Sequence, residues 1–158
     1  MRRLAVIPAR GGSTRLPNKN IYPLGDKPLI LWTVEAVLES NCFDKVIVST
    51  DSEKIWEAVE HLPVERHQRP AEHATVKATA LKAMINLMEN LDEQYDIFAY
   101  FLPTCPFIKS SDIKKGIEML TEDIDSVVSI TEITECIQKA CLVKNDWLLP
   151  VFDNLEFG

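Results

Sequence analysis

Short apolar runs alternate with longer amphipathic stretches along this chain. Four of the runs are rich in β-branched or aromatic residues and end at polar or proline-containing segments, which predicts buried strands. These predicted strands are residues 4–7, 45–49, 95–102 and 126–130. Strands that alternate with helices favour a mostly parallel sheet that is covered on both faces. The pattern therefore predicts an α/β fold in three layers.

Two of the helical stretches start at recognisable signals. Pro28 suits the first turn of a helix that runs to about Ser40. After the second predicted strand, residues 50–53 read Thr-Asp-Ser-Glu, which has the spacing of a capping box. A short helix is expected to follow, and Asp51 is interpreted as a helix cap rather than a catalytic residue.

Two further helices are predicted in the second half of the chain. Residues 76–91 carry an apolar stripe at helical spacing, and Met84 and Met88 within it are interpreted as core-filling side chains. After the third predicted strand, Ser110 or Ser111 is expected to cap a helix with one apolar face. No internal repeat, low-complexity segment or linker interrupts the pattern, which favours one continuous fold.

Length and composition predict a single domain over residues 1–158. The net charge of −7 argues against nucleic acid as a partner.

No apolar run approaches the length of a membrane span and no signal peptide is present, so no membrane association is expected. The four cysteines form no Cys-x-x-Cys pair, which favours free thiols in a reducing cytoplasm. The histidine spacing matches no usual zinc site, and the histidines are interpreted as structural or surface residues.

Residues 7–20 form the most informative segment. They follow the first predicted strand and combine two glycines, two prolines and three cations, although acids outnumber bases 24 to 17 in the whole chain. Gly11 and Gly12 would let backbone N–H groups approach phosphate oxygens, and Arg10, Arg15 and Lys19 would supply opposing charge. The alternative is a solvated basic loop. Because the local charge runs against the global balance, we favour a phosphate-binding loop.

This loop differs from the commoner phosphate motifs. A Walker A loop needs Lys followed by Ser or Thr directly after its last glycine, whereas Gly12 is followed by Ser-Thr-Arg. A dinucleotide fingerprint needs three spaced glycines that open a helix at once, and Pro17 and Pro23 forbid such a helix.

In a parallel sheet the ligand site lies beyond the carboxyl ends of the strands. The segments expected there are residues 8–20, 50–52 and 103–107.

Several motifs together resemble one enzyme family. Residues 8–20 read Pro-Ala-Arg-Gly-Gly-Ser-Thr-Arg-Leu-Pro-Asn-Lys-Asn, and further matches follow in the family's order at residues 27–30, 48–51, 69–72, 103–106 and 125–129. These segments resemble the acylneuraminate cytidylyltransferase (CMP–sugar synthetase) family, with a leaning toward its bacterial nonulosonic-acid type. The resemblance covers the N-terminal two-thirds of the family's length. It implies a Rossmann-like fold of the nucleotide-diphospho-sugar transferases.

The resemblance also implies an activity and a set of site residues. A member of this family transfers CMP from CTP to the anomeric hydroxyl of a 2-keto sugar acid of the sialic, pseudaminic or legionaminic type, releases pyrophosphate and uses Mg²⁺. Arg10 and Lys19 would be catalytic, and Asn20, Pro103 and Thr104 would contact the sugar acid. The implied nucleotide-binding residues are Ala9, Arg10, Gly11, Gly12, Ser13, Lys19, Asn20, Arg69 and Thr79. Within this set, the backbone near Ala9 and the side chain of Arg69 would read the cytosine.

Departures from the family pattern leave alternatives open. The family usually continues beyond residue 158 into a part that carries an Asp-x-Asp metal motif and much of a homodimer contact, so this chain is expected to lack both, and no metal ligand is assigned. Thr104 stands where related enzymes carry a metal-binding aspartate. One alternative is therefore a non-catalytic CTP-binding or interaction module. Another is a sugar-nucleotide pyrophosphorylase that uses UTP, dTTP or GTP.

Overall fold

A four-stranded parallel sheet lies at the centre of residues 1–127. The computed structural model describes residues 1–75, 80–130, 141–144 and 147–150. The strands of this part are β1 (Arg3–Pro8), β2 (Pro23–Leu24), β3 (Lys27–Pro28), β4 (Lys45–Thr50), β5 (Glu65–Gln68) and β6 (Ile97–Tyr100). The helices are α1 (Leu29–Ser40), α2 (Glu53–Glu57), α3 (Ala80–Glu89) and α4 (Ser110–Glu118). The prediction that residues 4–7, 45–49 and 95–102 form strands is confirmed in outline.

The strand order of the sheet is β5-β4-β1-β6, and every pairing is parallel. β1 is therefore a central strand, with Val6 in register with Ile47 of β4 on one side and Tyr100 of β6 on the other. The chain first builds outward from β1 to β4 and β5, and then returns to the opposite side of β1. A crevice at such a reversal is the usual ligand position in open α/β sheets.

The two faces of the sheet bury separate apolar clusters, because successive side chains of a strand point to opposite faces. On one face, Ala5 and Ile7 of β1 pack in a cluster with residues of α1, α2 and α4. On the other face, Leu4 and Val6 pack with Ala83, Met84 and Leu87 of α3. The predicted three-layer α/β architecture is confirmed.

The predicted strand at residues 126–130 is wrong. These residues form no regular secondary structure, and the side chains of Val128 and Ile130 are exposed at 77% and 93%. A strand exists only through its ladder hydrogen bonds, and residues 126–130 pair with no strand in the described part of the chain. The apolar run alone could not show whether a neighbouring strand is present to pair with it.

Both side-chain caps that the sequence predicted are wrong. Thr50 is still part of β4, in register with Gln68, so α2 begins only at Glu53 and its N-cap is Ser52. The N-cap of α4 is Lys109, and the helix already includes Ser110. Neither N-cap side chain forms a capping hydrogen bond.

The third helix agrees with the prediction except at its edge. It is described from Ala80, and the expected start at residues 76–79 lies outside the described residues. Met84 is buried as expected, but the prediction for Met88 is wrong because its side chain is 49% exposed. The buried stripe centres on Ala83 and Leu87, and at about 100° per residue Met88 lies at its margin.

The C-terminal residues 128–158 form a separate compact unit by their contacts. Within it, β7 (Cys141–Lys144) and β8 (Trp147–Pro150) pair antiparallel, with Leu142 opposite Leu149. The prediction of a single domain over residues 1–158 stays a prediction. Among the described residues, no helix is long and apolar enough to cross a membrane.

Candidate functional site

The cation-rich loop at residues 9–20 leaves β1 at the carboxyl edge of the sheet, next to the end of β4. The backbone N–H of Ala9 donates to the carbonyl oxygen of Ser49 at 2.9 Å, and Ala9 is completely buried. The N–H of Gly11 donates to Oδ1 of Asp51 at 2.8 Å. These two contacts tie the start of the loop to the neighbouring strand end, where the sequence placed the site.

The two glycines of the loop stand in different surroundings. A Cβ at Gly11 would lie 2.8 Å from Cβ of Ser52, closer than real side chains approach each other, so only glycine fits there. A Cβ at Gly12 would meet no heavy atom of the described residues within 4 Å. Gly11 therefore permits the packing of the loop against the end of β4, and Gly12 borders open space that a ligand could occupy.

Asn20 holds the far end of the loop. Its side chain is 5% exposed, and Nδ2 donates to the carbonyl oxygen of Arg10 at 3.0 Å. A one-turn 3₁₀ helix over Lys19–Ile21 surrounds it, preceded by Asn18 in the left-handed conformation at φ 55°. Asn20 thus has a structural role in the loop, while its contact with ribose or sugar acid stays a prediction.

The two cations assigned to catalysis are presented differently. Arg10 is partly buried, and Nη1 donates to the carbonyl oxygen of Thr75 at 2.7 Å. Lys19 is also partly buried, and its side-chain amine forms no hydrogen bond or ion pair with the residues that the structure describes, whereas its backbone N–H donates to the carbonyl oxygen of Leu16 at 3.2 Å. Ser13 lies between them, and its N–H donates to the carbonyl oxygen of Gly11 at 2.9 Å. Lys19 is therefore available for an anionic ligand.

Arg69 comes from β5 to the same edge of the sheet. Its side chain is 5% exposed, and it donates from Nε to Oγ of Ser49 at 3.3 Å and from Nη2 to the carbonyl oxygen of Ser49 at 3.2 Å. Burial lowers the pKa of the guanidinium, while the carboxylate of Asp51 raises it and the charge of Arg10 lowers it. Arg10, Asp51 and Arg69 therefore interact electrostatically although they come from three segments of the chain.

The residues predicted to border the sugar acid lie after β6. Pro103 is buried, and Thr104 is exposed at an apolar cavity of about 460 Å³. The other lining residues are Leu24, Leu29, Cys105, Pro106, Phe107 and Ile108. The last residue assigned to the nucleotide, Thr79, lies outside the described residues.

Sequence reasoning missed three polar residues of this edge. The interpretation of Asp51 as a helix cap is wrong, because its carboxylate binds the loop after β1 instead of the N-terminus of α2. Ser49 and His67 form a hydrogen bond between Oγ and Nδ1 at 2.9 Å beside Arg69. The only available signal was the position of Ser49 and Asp51 at the end of a predicted strand.

Among the described residues, no group of three or more His, Cys, Asp or Glu side chains could hold a metal ion. Asp51 is the carboxylate that contacts the loop, and it already accepts the Gly11 N–H. A magnesium ion in a nucleotide site is usually held by one or two carboxylates together with phosphate oxygens. The described residues therefore supply no complete protein ligand set for a magnesium ion.

Comparison with known proteins adds a family match. The family model described as Cytidylyltransferase matches residues 4–147. The N-acylneuraminate cytidylyltransferase of Escherichia coli O18:K1:H7 (strain RS218) is 40% identical over 130 residues, which are 81% of this chain and 31% of that protein. The CMP-N,N'-diacetyllegionaminic acid synthase of Legionella pneumophila is 38% identical over 138 residues, covering 85% of this chain and 60% of that protein. This chain thus spans less than two thirds of the length of these two relatives.

Solved structures match the fold. The structure of a CMP:2-keto-3-deoxy-manno-octonic acid synthetase complexed with CTP superposes with a TM-score of 0.65 at 24% identity, covering 75% of this chain and 46% of that one. A cytidylyltransferase from Leptospira borgpetersenii gives a TM-score of 0.59 at 25% identity and covers 76% of this chain and 49% of that one. Both likenesses support the nucleotidyltransferase type of α/β fold.

Proposed function

Since this chain belongs to the cytidylyltransferase family, we propose that it transfers CMP from CTP to the anomeric hydroxyl of a 2-keto sugar acid and releases pyrophosphate. The oxygen of that hydroxyl would form a bond to the α-phosphorus of CTP, and the bond from the α-phosphorus to the oxygen that bridges it to the β-phosphate would break. Pyrophosphate would leave with that bridging oxygen, and the hydroxyl proton would pass to solvent. The names of the two relatives support a nonulosonic acid of the sialic or legionaminic type, and the sequence resemblance adds pseudaminic acid as a third candidate.

One observation carries the proposal: the cation-rich loop after β1 and the buried Arg69 after β5 meet at the carboxyl end of the sheet. The loop is fixed by the contacts of Gly11 and Asn20, so the backbone that carries its cations is preorganised. Transfer of a nucleotidyl group needs mainly positioning and stabilisation of phosphate charge. A fixed loop that carries Arg10 and Lys19 supplies both.

The roles of individual residues follow from these positions. Lys19 would bind the phosphates, because its partly buried side chain has no polar partner among the described residues. Arg10 would do the same with the guanidinium N–H groups that Thr75 does not use. Gly12 and Ser13 would offer backbone and hydroxyl donors, and Arg69 would contact the nucleotide base from the buried side. Pro103 and Thr104 would border the sugar acid.

Members of this family generally use a divalent metal, and we retain Mg²⁺ as the expected cofactor with ligands mainly from the CTP phosphates. When bound, it would offset phosphate charge. We also retain a homodimer and a cytoplasmic location as proposals. The free thiols of Cys42 and Cys105 support a reducing compartment.

The experiment that tests the function is pyrophosphate release by the purified chain with CTP, Mg²⁺ and each of the three sugar acids in turn. Release that requires both substrates supports the proposal. The substrate that supports the fastest release identifies the sugar acid. CTP binding without release under any of these conditions would contradict a transferase and favour a CTP-binding module.

A further inference from the structure

A cluster of three polar side chains lies at the carboxyl ends of β4 and β5, beneath the loop. Ser49 and His67 are register partners across these strands, and Arg69 lies just beyond the end of β5. Ser49 is completely buried, Arg69 is 5% exposed and His67 is partly buried. Buried polar groups persist in proteins when they are hydrogen-bonded to each other, so the direction of each bond matters.

The chemistry of arginine and the burial of Ser49 together fix these directions. A guanidinium can only donate, so Nε of Arg69 donates to Oγ of Ser49 at 3.3 Å. The proton of the completely buried Ser49 hydroxyl also needs an acceptor, and among the described contacts of Oγ only Nδ1 of His67, at 2.9 Å, can accept it. Nδ1 of His67 is therefore the acceptor, and the ring proton lies on Nε2. The cluster is a directed chain from Arg69 through Ser49 to a neutral His67.

Protonation of His67 would reverse one of these bonds. Nδ1 would become a donor, the Ser49 proton would lose its acceptor, and a second cation would lie beside Arg69. The charged groups that face His67 in the described structure are Arg69 and His73, and its neighbour on β4 is the uncharged Ser49. Burial, followed by the charges of Arg69 and His73, lowers the pKa of His67, which keeps the ring neutral near pH 7.

We propose that Ser49 and His67 are positioning residues that orient the Arg69 guanidinium for recognition of the nucleotide, and that they do so only while His67 is neutral. This inference rests on the proposed function, in which Arg69 contacts the base. Ser49 holds the guanidinium at two points, because its Oγ and its carbonyl oxygen accept from Nε and Nη2. His67 fixes the rotation of the Ser49 hydroxyl, so that its lone pairs face Arg69.

The test is calorimetric titration of the chain with CTP, with variants that remove or retain the acceptor. His67→Leu deletes the acceptor, whereas His67→Asn places an amide oxygen near the position of Nδ1. We expect CTP binding on the order of tenfold weaker in His67→Leu and close to wild type in His67→Asn. His61→Asn, at an exposed position, is the control for replacing a histidine. Equal CTP affinity in His67→Leu and wild type would overturn the proposal.

A second readout separates positioning from mere packing. Between pH 7 and pH 5.5 the CTP affinity of wild type should fall more steeply than that of His67→Asn, since only wild type has the titrating ring at position 67. The quantity to compare is the ratio of the CTP affinity of wild type to that of His67→Asn at each pH. Protonation of CTP itself cancels in this ratio because both proteins bind the same ligand. A ratio that does not change with pH would contradict the requirement for a neutral ring.

Nuclear magnetic resonance of the imidazole nitrogens decides the hydrogen-bond chain without any nucleotide. We expect the Nε2-protonated tautomer and a midpoint below the ordinary value of 6.5. An Nδ1-protonated neutral ring would overturn the proposed directions of the hydrogen bonds.

If wild type bound no nucleotide, the proposed function would be wrong, and so would the role of the cluster in nucleotide recognition. The tautomer would then show whether the hydrogen-bond chain exists as a purely structural feature.

Discussion

The carboxylate of Asp51 accepts a hydrogen bond from the backbone N–H of Gly11 at 2.8 Å. This contact joins the segment after β4 to the loop after β1, so two adjacent strand ends hold the loop together. The same carboxylate raises the pKa of Arg69 against the lowering effect of burial. Asp51 therefore stabilises the cation-rich edge of the sheet electrostatically as well as through its hydrogen bond.

Replacement of Asp51 tests this contact. Asp51→Ala should lower the free energy of unfolding by about 1–2 kcal/mol, because it leaves the partly buried Gly11 N–H without its acceptor. Asp51→Asn retains an acceptor oxygen and should lose less. Urea unfolding at neutral pH measures both. An Asp51→Ala protein as stable as wild type would show that the loop does not depend on this bond.

Gly11 and Gly12 are adjacent in the loop, so the same substitution at each position tests whether Gly11 packs closely against Ser52. Gly11→Ala should destabilise the fold by about 1–3 kcal/mol, since the new Cβ would lie 2.8 Å from Cβ of Ser52 and force the two segments apart. Gly12→Ala should leave the free energy of unfolding nearly unchanged, because its Cβ would meet no atom within 4 Å in the part of the chain that the structure describes. Thermal unfolding of both variants is the measurement. Equal losses in the two would refute the close approach at Gly11.

Arg10 should matter for the ligand more than for the fold. Arg10→Ala should weaken CTP binding by about 1.5–3 kcal/mol, the range for loss of a hydrogen bond to a charged group. Arg66→Ala is a suitable control, because its guanidinium pairs with Glu53 at 2.8 Å and lies over the Trp56 ring. Calorimetric titration compares the two variants, and unchanged affinity in Arg10→Ala would remove this residue from the phosphate site.

Lys19 should affect the rate of CMP transfer more than the stability of the fold. Lys19→Met should lower the rate of pyrophosphate release while the unfolding temperature stays near wild type, because the side-chain amine of Lys19 has no polar partner among the described residues. Lys54→Met, at an exposed position of α2, controls for loss of a positive charge. A Lys19→Met protein that unfolds at a clearly lower temperature would show that the residue is structural.

A different region should contribute to the pH dependence of stability. Hydrogen bonds from Tyr95 and Arg2 lower the pKa of Glu93 from 4.5 to about 2. Because the folded pKa lies below the unfolded one, the contribution of Glu93 is present above pH 4.5 and is lost as the pH falls from 4.5 toward 2. Glu93→Gln should therefore be less stable than wild type at pH 7, and the difference should disappear toward pH 2. Urea unfolding across this pH range checks it, and a constant difference would contradict it.

Local patterns predicted the positions of the sheet and of the loop. Val6 and Ile47 stand in apolar runs that any buried parallel strand requires, and α1 begins at Leu29, next to the expected Pro28. The loop at residues 9–20 followed from its glycines and cations. Such features depend on neighbours in sequence, so a single chain reveals them.

The contacts of the site could not be predicted, because they join residues distant in sequence. Asp51 is compatible with capping a helix, and only the arrangement of β1 beside β4 brings its carboxylate to Gly11. His67 gave no signal, since its role depends on the register of β5 against Ser49. The prediction of a strand at residues 126–130 was wrong for the same reason, because an apolar run does not show whether another strand is present to pair with it.

The most direct test of the account is titration of the chain with CTP, UTP, GTP and ATP, each with and without Mg²⁺. The account predicts that CTP binds, that the other three nucleotides bind much more weakly, and that Arg10→Ala abolishes most of the CTP affinity. Binding of all four nucleotides with equal affinity would contradict recognition of cytosine by this site. The absence of binding by any of them would contradict the assignment of the loop to a nucleotide.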